Sequence, residues 1–108
     1  MKKGFVLLAL SCAFASTVQA ESWSRGEITR IWQHGEQGEF SIALDPEVQD
    51  CRDHLIEFSG THYDSAERRE QALSIALSAL HAGKAVGVEL SAVEADGRCL
   101  ARGIDIQR

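Results

Sequence analysis

The densest run of chemistry-bearing side chains is Asp50-Cys51-Arg52-Asp53-His54. Two carboxylates and an imidazole can hold a divalent ion, or pass a proton between them. Their spacing fits no metal-binding loop, however, and neighbours on a strand point to opposite faces. The run reads better as a solvated loop leading into a strand anchored by Cys51, and no metal ligand is assigned. His62-Tyr63-Asp64 invites a catalytic reading in the same way, but Asp64 is better placed as the acceptor at a helix start. The chain has no Gly-x-Ser-x-Gly elbow, no His-Glu-x-x-His motif and no Gly-rich phosphate loop. No catalytic residue is assigned, no cofactor is expected, and the chain reads as a binder.

The composition sets the frame for those residues. At 108 residues, 44% apolar and 25% charged, the chain has the make-up of one globular domain. Its net charge of -5 argues against nucleic acid as a partner, because a phosphate binder concentrates Lys and Arg. Lys2 and Lys3, the apolar stretches Phe5 to Leu10 and Ala13 to Ala15, and Val18-Gln19-Ala20 form a signal peptide over residues 1–20. Cleavage after Ala20 would place residues 21–108 in the periplasm or outside the cell. An uncleaved anchor and a lipidated Cys12 are the alternatives. The apolar run is well short of the roughly 20 residues that span a bilayer, so no membrane span is expected.

Loss of the leader removes Cys12 and two of the 11 basic residues but none of the 16 acidic ones, taking the net charge from -5 to -7. Cys51 and Cys99 remain. An even pair in an oxidising compartment reads as a disulfide, and two thiols alone make a poor zinc site.

The elements that must position these residues follow from periodicity. Gly26 to Gln33 is rich in Ile, Thr and Trp and reads as a strand. A turn at His34-Gly35-Glu36-Gln37-Gly38 precedes a second strand, where Phe40, Ile42 and Leu44 alternate with polar or small residues. Asp45-Pro46 ends it. His54 to Phe58 forms a third strand, whose adjacent Leu55 and Ile56 leave its facing ambiguous. The period then becomes helical over Ser65 to Ala82, with Asp64 as cap, Glu67 as capping-box partner, and Leu73, Ala76, Leu77 and Leu80 on one face. Gly83 ends the helix. Val86, Val88 and Leu90 mark a fourth strand, Ala95-Asp96-Gly97 a turn, and Leu100 to Gln107 a fifth strand.

Three strands, one helix and two strands predict an α+β, mainly β fold: a five-stranded OB-fold-like barrel with its helix between strands 3 and 4. A plain α+β roll has the same element order. The helix stretch Ala72-Leu73-Ser74-Ile75-Ala76-Leu77-Ser78-Ala79-Leu80-His81-Ala82-Gly83-Lys84, the following Ala85-Val86-Gly87-Val88, Cys99 and Gly103-Ile104-Asp105-Ile106 resemble exported OB-fold B subunits of AB5-type bacterial toxins. The similarity is to the subtilase-cytotoxin and pertussis-like branch. That resemblance implies a ring-forming, glycan-binding module.

In OB-folds the first–second and fourth–fifth loops flank the ligand face, which brings Trp32, His34, Asp96 and Arg98 toward one surface. Sugars stack their C–H faces on exposed rings, with polar groups alongside. Trp32 has two open placements: exposed there, or filling the core in phase with Ile28. Beyond the main helical stripe, Ala72, Ile75 and Ala79 widen the apolar arc and are the expected interface of a homo-oligomer. Two partners are therefore in view. An exposed Trp32 beside polar groups points to a glycan, whereas a buried Trp32 with a flat patch at Ile75 points to an envelope protein.

Overall fold

A computed structural model describes residues 22–107; the expected leader, 1–20, lies outside the described residues. The strands are β1 (Ser22–Gln33), β2 (Phe40–Asp45), β3 (Leu55–Phe58), β4 (Ala85–Val93) and β5 (Cys99–Ile106), with the helix α1 (Ala66–Ala82) between β3 and β4. They close into an OB-fold-like barrel in the order β1-β2-β3-β5-β4. All neighbouring pairs are antiparallel except β3 and β5. Among the described residues, no helix is long and apolar enough to cross a membrane.

β1 closes the sheet by pairing with two strands. Glu27 is the changeover residue, opposite Ala85 of β4 on one side and Asp45 of β2 on the other. The strands crowd here: a Cβ on Gly26 would sit 2.6 Å from the Asp45 carbonyl oxygen. Only glycine fits that approach.

The alternation read from β2 is the alternation of the core. Phe40, Ile42 and Leu44 point inward and are buried with Ile56, Phe58, Val86, Val88 and Ala101. The Phe40 and Phe58 rings stack at 4.5 Å, and Tyr63 meets Phe58 edge-on at 5.1 Å. The ambiguity in β3 resolves with Ile56 inward and Leu55 half-buried.

β1 departs from simple alternation. The register with β2 shifts between Ile28 and Arg30, which leaves Thr29 as an extra residue whose hydroxyl donates to the Ala43 carbonyl. Such a bulge reverses the phase of everything after it. Ile28 is buried and Ile31 packs against the core, whereas Trp32 is 46% exposed. The core placement of Trp32 is thereby corrected.

Two expectations for α1 are also corrected. Its N-cap is Ser65, whose Oγ accepts from the Arg68 amide at 3.2 Å, one residue beyond Asp64. Gly83 ends the helix in the left-handed region at φ 65°. The face against the barrel is Arg69, Ala72, Ala76 and Ala79, while Leu77 and Leu80 are exposed. Alanines let the helix backbone lie close to β1 and β5, and the bulkier Leu77 and Leu80 turn to the flank. Ala72 and Ala79 are thus buried inside their own chain and do not form the expected intersubunit flank. Ile75 alone of the three is partly open.

The Cys51–Cys99 disulfide joins the β2–β3 connection to the start of β5 across 48 residues. Closing such a loop restricts the unfolded chain by on the order of 4 kcal/mol. Replacing both cysteines by Ala is expected to lower unfolding stability by about 2–5 kcal/mol in a denaturant titration. A second pair of variants checks the facing of α1. Ala76→Leu overfills the contact and costs about 1–3 kcal/mol, whereas Leu80→Ala costs less than about 1 kcal/mol. The reverse ranking would put the leucine stripe inward.

Candidate functional site

The outward row across the first three strands is Trp32, Ser41 and Glu57, each directly opposite the next. It forms part of a depression of about 340 Å³ lined also by His34, Leu55 and Arg98. Arg52 and Asp53 close one side of it. β1, β2 and β3 supply the row, the β1–β2 loop supplies His34, and the β4–β5 loop supplies Arg98.

Trp32 and His34 form one wall, their rings tilted at 46° with centroids 4.9 Å apart. The Arg30 guanidinium lies 5.4 Å from the Trp32 centroid, a cation–π distance that helps hold the indole. Ser41 is buried although it points away from the core. Its Oγ and His34 Nε2 share a hydrogen bond of 2.9 Å, which satisfies a hydroxyl that would otherwise be costly to bury.

The loop that carries His34 is tied down twice. His34 N donates to the Glu39 carbonyl at 2.8 Å, and the Gln37 amide donates to the Glu39 carboxylate at 3.1 Å. Backbone hydrogen bonds from Glu39 itself and Gln37 hold that carboxyl below its ordinary range, with Arg69 and His34 adding to the effect. Buried Arg69 then reaches from α1, donating Nε to the Gln37 carbonyl at 2.7 Å and Nη1 to the Tyr63 carbonyl at 2.9 Å.

Arg98 forms the opposite wall. Asp96 accepts from the Arg98 backbone N–H at 3.1 Å and from its Nε at 3.0 Å, while Nη1 lies 3.4 Å from Glu57 Oε1. The backbone N–H of Arg98 is the main cause of a lowered Asp96 pKa, followed by the Arg98 side chain and Arg52. The pairing with Asp96 and Glu57 raises the Arg98 pKa in turn. Arg52 stands 3.9 Å from Asp96, and its backbone N–H donates to the Gly97 carbonyl at 2.8 Å. The disulfide beside it holds this corner closed.

Trp32, His34 and Arg98 therefore share one depression, and Asp96 stands behind Arg98 as its brace. Sequence reasoning passed over Ser41, Glu57, Arg52 and Asp53 as members. Ser41 and Glu57 were visible only as polar residues on their strands, and their meeting with Trp32 depends on the cross-strand register.

The other clusters disperse. Asp53 lines the depression, but His54 Nδ1 lies 3.2 Å from the Val48 carbonyl and its Nε2 lies 3.8 Å from Glu47. Among the described residues, no three His, Cys, Asp or Glu side chains stand together as a metal site. Tyr63 is buried with the Arg68 guanidinium 4.6 Å over its ring. Depressions of about 300 and 380 Å³ beside α1 are both lined by Tyr63 and neither has an exposed aromatic ring.

Because its folded pKa is depressed, Asp96 contributes stability above its unfolded pKa and loses it as pH falls through the folded value. A carboxyl-carbon NMR titration is expected to give Asp96 a midpoint below the ordinary 3.8. A midpoint at or above that value would mean that Asp96 does not brace Arg98. No protein-family model matches the chain, and no curated protein matches it significantly.

Proposed function

We propose that the protein is an exported binding module that takes a glycan in the Trp32 depression. One observation carries this reading: a half-exposed indole stands beside a carboxylate–guanidinium pair, Glu57 and Arg98, over a buried polar floor. The ring offers an apolar face to sugar C–H groups, and the polar pair fixes the orientation of hydroxyls. A volume of about 340 Å³ is within the range of small-molecule sites, about 300–1,000 Å³.

Three further features support it. The position is the OB-fold ligand face, outside the second and third strands and between the two flanking loops. The Cys51–Cys99 disulfide suits an oxidising compartment, as does the leader-like composition of residues 1–20. The resemblance to AB5-type B subunits rests on the same element order and favours a glycan by fold-level analogy. It also implies a ring, but of the expected contact on α1 only Ile75 remains open.

The role is binding and not turnover. Glu57 Oε1 is held by Arg98 and by the Ser59 hydroxyl at 3.3 Å, an arrangement suited to a fixed acceptor. A factor that binds an envelope protein is less well supported, since that reading places Trp32 inside the barrel. Trp32→Ala is expected to weaken glycan-array binding by about tenfold or more, equivalent to ~1.4 kcal/mol. The melting temperature should stay within a few degrees, because an exposed ring contributes little to the core. Undiminished binding by this variant would remove Trp32 from the site.

A further inference from the structure

We propose that the Trp32 depression selects an uncharged sugar and discriminates against sugars bearing a carboxylate, with Glu57 accepting from one hydroxyl and Arg98 donating to its neighbour. This inference rests on the glycan reading of the same depression.

The charge arrangement carries it. Three cations stand at the site: Arg30 over the indole, and Arg52 and Arg98 at the opposite wall. Three carboxylates stand with them, Asp53 and Glu57 in the lining and Asp96 behind. The site has no surplus positive charge. Recognition of a carboxylate works best through a guanidinium that presents two N–H groups at once. Arg98 has already given its Nε and its backbone N–H to Asp96, and its Nη1 lies against Glu57. An acidic sugar would meet Asp53 and Glu57 as like charges and would compete with Asp96 and Glu57 for Arg52 and Arg98.

The unspent hydrogen-bonding capacity points the same way. The Glu57 side chain is only 17% exposed. Its Oε1 is engaged by Ser59 and Arg98, whereas Oε2 has no hydrogen-bond partner among the described residues. That oxygen belongs to a side chain that lines the depression, where it can accept from a ligand donor. An ionised carboxylate ligand accepts only, but a hydroxyl both donates and accepts. Two adjacent hydroxyls match the adjacent Glu57 and Arg98: one donates to Oε2, and the other accepts from the guanidinium. The mixed pair thus reads a diol, and Trp32 packs against the ring that carries it.

The test compares neutral, hexose-terminated oligosaccharides with the same oligosaccharides ending in a uronic acid, on an array and then by calorimetry with the exported protein. The expected result is binding of the neutral series and at least about tenfold weaker binding of the acidic one. Affinity for the neutral series should change less than about twofold between roughly 50 and 500 mM NaCl, since no net ion pair forms with the ligand. Glu57→Gln, which keeps the shape but removes the charge, should weaken neutral binding by about tenfold. Preference for the acidic series, or affinity that falls steeply with salt, would overturn the inference. If Trp32→Ala also abolished that acidic binding, the glycan site would stand and only its selectivity would be wrong. Failure of the unaltered protein to bind either series would overturn the glycan reading itself, and this inference with it.

Discussion

β1 hydrogen-bonds to β4 through its first half and to β2 through its second, and the rest of the molecule depends on that double pairing. A domain of this size has little interior to spare, and an open five-stranded sheet would leave two edges unpaired. Closure removes both. It is possible because Gly26 lets β1 pass close to the end of β2, and because Glu27 has a partner on either side. The strand then bulges at Thr29, and this small irregularity decides the outer surface. Without the extra residue, Trp32 would share the phase of Ile28 and point into the barrel. With it, Ile31 takes the inward position and the indole stands outside.

The outer surface is held in shape by ties made at a distance. The disulfide fixes the β2–β3 connection against the start of β5, so that Arg52 and Asp53 meet Arg98 and Asp96. Arg69 does the equivalent for the β1–β2 loop, reaching from α1 to the Gln37 carbonyl. Both flanking loops are therefore fastened to the barrel by residues that do not line the depression. A face built on strands and on tethered loops would lose little conformational freedom on meeting a ligand.

Much of this was legible in the sequence, and the parts that were not share a cause. The alternation of Phe40, Ile42 and Leu44 announces an inward face, the change of period at Ser65 announces a helix, and the surviving pair of cysteines announces a bridge. These are local or arithmetical signals. The facing of α1 is different: of the expected stripe, Leu73 and Ala76 pack on the core, whereas Leu77 and Leu80 are exposed and Ala72 and Ala79 are buried in their place. Which residues are buried depends on how closely α1 lies against β1 and β5, which the helical period does not state. The bulge at Thr29 and the meeting of Ser41 and Glu57 with Trp32 are set by register between strands distant in sequence. No window along the chain contains that information.

The proposed binding role requires that the outward-turned Trp32 serve as the platform for a ligand. The two tryptophans allow a direct measurement, since Trp23 is also exposed, at 52%, but lies in the half of β1 that pairs with β4. In a nitrogen-15-labelled sample titrated with a neutral oligosaccharide, the indole N–H of Trp32 and the amides of Ser41, Glu57 and Arg98 should shift together and saturate. The Trp23 indole should remain unmoved. Saturable shifts at Trp23 or along α1, with the Trp32 indole unchanged, would place the ligand elsewhere on the barrel and rule Trp32 out as its platform.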